Sequence, residues 1–269
     1  MKYLENAVKF SIKNWMLIIP LFILTAIASL LGGAAKFAGL GAITAAFASL
    51  DDLSNPGVMM SVLPGILSSV AIGSGIWAFL INFITWPVTY GLVNKSMDTG
   101  NASLNDIGSS ISLNFVKYVM YFVGNLVVSL VIGIAVFLLI LILGLLVTLL
   151  KGVGVAIMVI VALALVVAGI VFYVLISMWF SAMVVDGLDV VGAFKKSVEV
   201  VKGSFWTVLG ITLLIAIAAG IAGFILGLLR GIPLLGPIIY SAVPTAQFFV
   251  SAVFLLTLYR ERTGRTNAI

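Results

Sequence analysis

The side chains that most enzymes rely on are missing: the 269 residues hold no histidine and no cysteine. Thiol catalysis, disulfides, imidazole acid–base chemistry and the usual zinc or haem ligand sets are thereby excluded, and no cofactor or metal is expected. The acidic residues stand at the ends of long apolar runs, where no nucleophile can be paired with a base. No Asp, Glu, Lys or Arg falls near the middle of such a run, which is where proton relays and ion-coupled transporters keep them. The polar chemistry left inside the runs is neutral: Asn82 and Thr85 beside Trp86 and Pro87, Asn125 with Ser129, and Gln247 after Pro244. Broken helices at these points could line a path for a small solute through Asn82, Asn125 and Gln247. The plainer reading has more weight: such amides bond neighbouring helices, at about 0.6 kcal/mol each, and the prolines kink their own.

What must position these groups is a set of membrane spans. With 63% hydrophobic and 9% charged residues, the chain cannot cover a water-soluble globule, whose charged share is about 25%. Six apolar segments can be drawn, several of them longer than the ~20 residues a crossing helix needs. They run from Trp15 to about Leu31 (or on to Leu50), Ser61 to Val93, Phe115 to Leu150, Val153 to Val185, Phe205 to Leu229, and Pro237 to Tyr259. The first run has no small-residue cleavage site close behind it, so a removable signal peptide is not expected. The expected fold class is all-α: a polytopic helix bundle forming a single membrane domain over residues 1–269.

With both termini on one side, that side holds Lys2, Lys9, Lys13, Lys95, Lys117, Lys195, Lys196, Lys202, Arg260, Arg262 and Arg265. Lys36, Lys151 and Arg230 lie opposite. Eleven against three is a strong positive-inside asymmetry, which predicts a multi-pass cell-membrane protein with cytoplasmic N- and C-termini. The net charge of +5 is therefore matched to phospholipid headgroups and not to nucleic acid, since the basic residues sit at span ends without aromatic interleaving.

The segment before each odd-numbered span can form an amphipathic helix. Leu4, Val8, Ile12 and Trp15 oppose Glu5, Lys9 and Lys13 in the first. Leu104, Ile107, Ile111 and Phe115 make the stripe of the second, with Ser103 and Asp106 as a capping pair. In the third, Val191, Phe194, Val198, Val201 and Phe205 oppose Lys195, Lys196, Glu199 and Lys202, and Asp189 is the N-cap. Helices of this kind lie in the headgroup layer, so Lys9, Lys13, Lys195, Lys196 and Lys202 are the candidate contacts to anionic lipid. The pattern reads as three copies of interfacial helix, outward span and return span, over residues 1–97, 98–185 and 186–269, although any multispan protein has amphipathic connectors.

Two runs are too long. Phe115 to Leu150 is 36 residues, about 54 Å as a helix, so tilt, a bend near Gly133 or Gly144, or burial must accommodate it. The first run, if continued through Lys36, behaves alike, the alternative being a re-entrant segment over residues 37–50. A continuous helix is preferred, because the first clear break comes at Asp51, Asp52, Asn55, Pro56 and Gly57. Gly223, Gly227 and Gly231 continue from Ala216 and Gly220 as a small-residue stripe, the signature of close helix contact within or between subunits. Gly231 to Pro237 reads as a tight outer hairpin and lacks the Lys-Ser/Thr end of a phosphate loop. Trp15, Tyr118, Trp179, Trp206 and Tyr259 stand near span ends as expected interfacial anchors.

Residues 186–262 carry a further pattern. An Ala-Phe-Lys-x-Ser helix, Ala193 to Ser197, leads through a Lys-Gly-x-Phe-Trp turn, Lys202 to Trp206, into a glycine-rich span, a Gly-Pro turn and the ending LLTLYRER. This resembles the six-span group that includes the membrane domain attached to some glycerophosphodiester phosphodiesterases. The resemblance implies a six-span membrane fold. It does not bring the phosphodiesterase activity, because the catalytic barrel of those relatives is absent from these residues and so is histidine. Mitochondrial carriers share the three-by-two architecture, but their Pro-x-Asp/Glu-x-x-Lys/Arg motif is absent.

Two functions fit. One is a non-catalytic protein acting through contacts with membrane lipids, with a homo-oligomeric or membrane-protein partner. The other is a transporter or channel for a small neutral or amphipathic solute. A water-filled centre lined by Asn82, Asn125 and Gln247 would favour the second, and a packed centre with apolar grooves the first.

Overall fold

The computed structural model describes residues 2–30 and 75–265, without the side chains of residues 75–78 and 230. The choice between continuous helix and re-entrant segment at residues 37–50, and the break at Asp51 to Gly57, lie outside the described residues. Every regular element among the described residues is helical. They are α1 (Lys2–Lys13), a 3₁₀ turn (Trp15–Ile18) leading into α2 (residues 19–30), α3 (Gly75–Thr99) and α4 (Ile107–Leu150). Then come α5 (Gly152–Leu175), α6 (Trp179–Asp186), α7 (Val190–Lys202), α8 (Phe205–Gly227) and α9 (Leu235–Arg262).

Among the described residues, four helical stretches are long and apolar enough to cross a membrane: Leu104–Leu150, Gly152–Asp186, Phe205–Gly227 and Leu235–Arg262. A pair bent by 87°, Lys2–Lys13 with Trp15–Leu30, makes a fifth if counted as one span. These are the expected third, fourth, fifth, sixth and first spans. The segment expected as the second span begins outside the described residues; its described part lies in α3, which is not among these candidates, so four or five of the six expected spans are found. Ahead of the third span the amphipathic stretch is not a separate helix, because after a 3₁₀ turn at Leu104–Asp106 it runs unbroken through α4 for 44 residues.

The chain divides into two compact units. One comprises Met1–Phe115 and Thr212–Phe254. Here α1 carries an acid in its first turn and Lys13 in its last, both favourable to the helix dipole. Its last carbonyls are met by Asn14, whose side chain donates to the Phe10 carbonyl at 3.0 Å. Ser96 of α3 reaches the Asn14 carbonyl oxygen of the side chain at 3.4 Å. The start of α4 is capped by Asp106, which accepts from the Ser103 backbone N–H at 2.9 Å and from Lys95 at 2.6 Å. Close beyond it, Ser110 and Asn114 are buried against Gly91 of α3, where an added Cβ would stand 2.7 Å from that of Ser110. The face turned to protein is thus the small, polar one, and Leu104 and Phe115 of the expected stripe stay exposed. Thr25 of α2 and Thr245 of α9 share a hydroxyl–hydroxyl bond, and Trp86, Tyr90 and Phe248 cluster with ring centroids 5.0–6.3 Å apart.

The other unit comprises Val116–Ile211 and Leu255–Ile269. Its α4–α5 hairpin turns at Lys151, which has a positive φ of 48°, and closes so tightly that a Cβ on Gly154 would fall 2.5 Å from the Leu146 carbonyl. The core is α6, buried from Trp179 to Val184, with Tyr118, Tyr121 and Phe194 packed edge-on or tilted around Trp179 and Phe180.

Candidate functional site

The motif at Ala193 to Ser197 occupies α7, which starts where the sequence places it: Asp189 accepts from the Gly192 N–H at 3.2 Å. Gly187, at φ 66°, ends α6 in the left-handed conformation that lets the chain turn between the two helices. The buried face of α7 is Ala193, Ser197, Val200 and Val201, while Val191, the first residue of the expected stripe, is exposed. Ser197 explains the rotation. The chain breaks between α5 and α6 at residues 176–178, and Ser197 serves both sides of the break. Its hydroxyl accepts from the Met178 N–H at 3.1 Å and donates to the Leu175 carbonyl at 2.8 Å. Two backbone groups that the break would orphan are satisfied by one small side chain. The Trp179 indole N–H donates to the Val190 carbonyl at 2.8 Å and ties α6 to the start of α7.

Turned away from this knot, Lys195 and Lys202 are exposed and no carboxylate among the described residues pairs with either. Lys196 is held 2.9 Å from Glu199. On α1, Lys9 lies 2.6 Å from Glu5, and Lys13 is exposed. The hydrogen bond and charge of Lys9 keep the Glu5 carboxyl below its usual range, so the two charges offset one another.

Of the five expected aromatic anchors, Trp15 at 56% and Trp206 at 79% exposure are available to an interface. Tyr118, Trp179 and Tyr259 are not; they are buried within the protein. Tyr259 is enclosed because its hydroxyl donates to Asp186 at the end of α6, whose other carboxylate oxygen lies 2.9 Å from Arg265 Nε. Arg265 also donates to the Val185 carbonyl at 3.0 Å, fastening the chain beyond α9 to the end of α6.

Of the expected solute-path residues, Asn82 and Gln247 belong to the first unit and Asn125 to the second. Asn82 is exposed and faces Thr85 of its own helix, and half-buried Asn125 stands 3.5 Å from the Tyr121 hydroxyl, one turn away. Gln247 faces an open-sided groove of about 330 Å³ between α1, α8 and α9, whose walls are otherwise aliphatic. In the small-residue stripe, a Cβ added at Gly223 would stand 3.8 Å from Tyr240 and Val243 of α9, whereas one added at Gly220, Gly227 or Gly231 would have nothing within 4 Å among the described residues. No group of three or more potential metal-ligating side chains occurs among the described residues.

A family model described as a domain of unknown function, DUF7847, matches residues 21–259. The chain belongs to that family. No curated protein and no solved structure matches it. The matched residues include the α7 motif, its Ser197 link and the α8 and α9 walls of the groove, while α1 precedes them. The groove and the Ser197 link are both invisible to motif reading. A small residue on the polar side of an amphipathic helix, facing a stretch without Gly or Pro, was the available hint for the link.

Proposed function

We propose that this protein is a non-catalytic component of the cell membrane that acts through contacts with anionic lipid and with partner proteins, its termini on the cytoplasmic side. The observation that carries this reading is α7, whose small face is locked onto α6 while Lys195 and Lys202 stand exposed without acidic partners among the described residues. Lys13 on α1 has the same character. Near an anionic surface each such lysine contributes about 1 kcal/mol, weakened by salt. The likeness of residues 186–262 to the membrane domain of some glycerophosphodiester phosphodiesterases belongs to this proposal for its six-span fold alone. The rival, conduction of a neutral solute, has less support, since Asn82 is exposed, Asn125 bonds within its helix, and Gln247 faces aliphatic walls.

The test is lipid selectivity of the full chain in mixed vesicles, read from spin-labelled lipids. Preference for phosphatidylglycerol over phosphatidylcholine should be clear at low salt and should fall in the Lys195→Glu/Lys202→Glu variant. Equal association with both lipids would refute the electrostatic reading. Flux of small neutral solutes into liposomes, abolished by Asn82→Ala, Asn125→Ala and Gln247→Ala at unchanged stability, would establish conduction instead.

A further inference from the structure

Helix α4 is unbroken for 44 residues, and exposed apolar side chains recur along it from Val116 to Leu149. Even at a tilt of about 40°, a hydrocarbon core of ~30 Å holds only about 26 helical residues. Counted back from the turn at Lys151, that length reaches Asn125. Sliding the hairpin outwards would put Leu145, Leu149, Val153 and Ile160, all exposed, into water, so the surplus lies at the end next to α6 and α7.

A contact places the boundary at the same level. A Cβ added at Gly124 would stand 2.5 Å from Val190 Cγ1, so α7 begins beside Gly124. That helix is the one assigned to the headgroup layer. On either count Val116, Met120 and Val123 lie outside the hydrocarbon. Val116 stands about 13 Å beyond Asn125 along the axis, past a headgroup layer of roughly 5–7 Å. The two sides of this stretch differ. Tyr118 and Tyr121 pack on Trp179 and Phe180, whereas Val116, Met120 and Val123 are 64%, 52% and 49% exposed. The hydrophobic effect acts on these three, while deeper in the span lipid is as good a neighbour as protein.

The spacing names the occupant. Val116, Met120, Val123, Val127 and Leu130 alternate steps of four and three, the seam of a coiled coil with Met120 and Val127 at a and the other three at d. With Leu126 beside them, their exposed surface is roughly 550 Å² per copy, so two copies bury about 1,100 Å², above the ~1,000 Å² of a specific interface. Copies inserted the same way up present this seam to each other in parallel. Lys117, the one charge between Val116 and Leu130, falls at an e position, which faces a g position of the other helix and not its own mate.

We propose that two copies of this protein pair along this seam, α4 against α4, about a two-fold axis parallel to the membrane normal. The inference rests on the headgroup-layer reading of α7 for the depth of the boundary, and it adds a partner, a second copy of the chain.

The experiment is disulfide cross-linking of single-cysteine variants of the full chain, which has no cysteine of its own, in phospholipid vesicles under a mild oxidant. Val116→Cys and Val123→Cys should each give a dimer band, because seam positions bring Cβ atoms within disulfide range. Ile132→Cys, on the back of α4, and Val159→Cys, on the exposed side of α5, should give none at the same protein-to-lipid ratio. Met120→Glu added to Val123→Cys should abolish the band, since two carboxylates then meet at the seam, while the preference for phosphatidylglycerol over phosphatidylcholine is kept. Should Met120→Glu fail to fold, the comparison of positions 116 and 123 with 132 and 159 decides. No band at 116 and 123, bands of equal strength at 132 and 159, or a band that survives Met120→Glu overturns the proposal. Lipid selectivity without the cross-link refutes the dimer alone. A seam-specific cross-link without selectivity supports the dimer and refutes the lipid-contact reading.

Discussion

The α4–α5 hairpin and α6 are both apolar, yet they treat their apolar surface in opposite ways. The most apolar 18-residue window of Leu104–Leu150 is 6% buried inside the protein, and that of Gly152–Asp186 is 0% buried. In α6, every residue from Trp179 to Val184 is buried. Hydropathy runs the other way: Val131 to Ile140 holds no polar side chain, whereas α6 includes Ser181 and Asp186. A second difference lies in what surrounds them: Ser197, the Trp179 indole and Asp186 supply directional bonds between elements of the knot, whereas the side-chain bonds of Asn125 and Thr148 in the hairpin stay within α4. In a membrane the solvent is as apolar as the side chains, so apolar residues choose the environment while small and polar residues choose the contact.

The comparison breaks most visibly at Trp179. Trp179→Ala should destabilise the protein by about 3–5 kcal/mol, since the ring is only 2% exposed and contacts Tyr121 and Phe194. Reversible unfolding of the purified protein in mixed micelles measures this. Gly154→Val tests whether the hairpin, for all its exposure, has one tight point. A side chain there meets the Leu146 and Val147 backbone, which cannot give way as a side-chain tip would, so a loss of about 1–3 kcal/mol is expected. An unchanged unfolding midpoint would show that the turn at Lys151 is looser than described. Ser197→Ala removes both hydrogen bonds at the α5–α6 break and should cost about 1–3 kcal/mol by leaving the Met178 N–H and Leu175 carbonyl unpaired. Faster amide exchange confined to residues 176–179 is its signature. Phe137→Ala also removes an aromatic ring, but one 59% exposed, and should shift stability by less than about 0.5 kcal/mol. A loss comparable to that of Trp179→Ala would mean that the hairpin face is covered by protein and would sharpen the search for an oligomer.

Much of the fold was legible from the residues. The cap at Asp189, the Ser103–Asp106 pair and the Glu5–Lys9 pair were each readable because they are local, set by spacing of three or four residues. The buried faces were not. An amphipathic stripe read by soluble-protein logic puts Val191 inwards, but Val191 is exposed and the buried face runs through Ala193, Ser197, Val200 and Val201, with Phe194 packed on Trp179, because lipid receives large apolar side chains without cost. The break at residues 176–178 was also hidden, as Ile176, Ser177 and Met178 include neither Gly nor Pro. Tyr259 looked like an anchor by its place at a span end, and only its Asp186 partner, 73 residues away, reveals why it is buried. At the candidate site, the exposed lysines were readable from charge periodicity, whereas the groove needed three helices brought together from distant parts of the chain.

The central claim is that the lysine faces of α1 and α7 meet the same cytoplasmic headgroup layer. Single cysteines introduced as Lys13→Cys, Lys195→Cys and Lys151→Cys, in a chain with no cysteine of its own, test this directly with a membrane-impermeant thiol reagent on sealed vesicles of known orientation. The account predicts labelling at positions 13 and 195 from the cytoplasmic side and at 151 only from the other. Labelling of 13 and 195 from opposite sides, or of 151 from the cytoplasmic side, would contradict it.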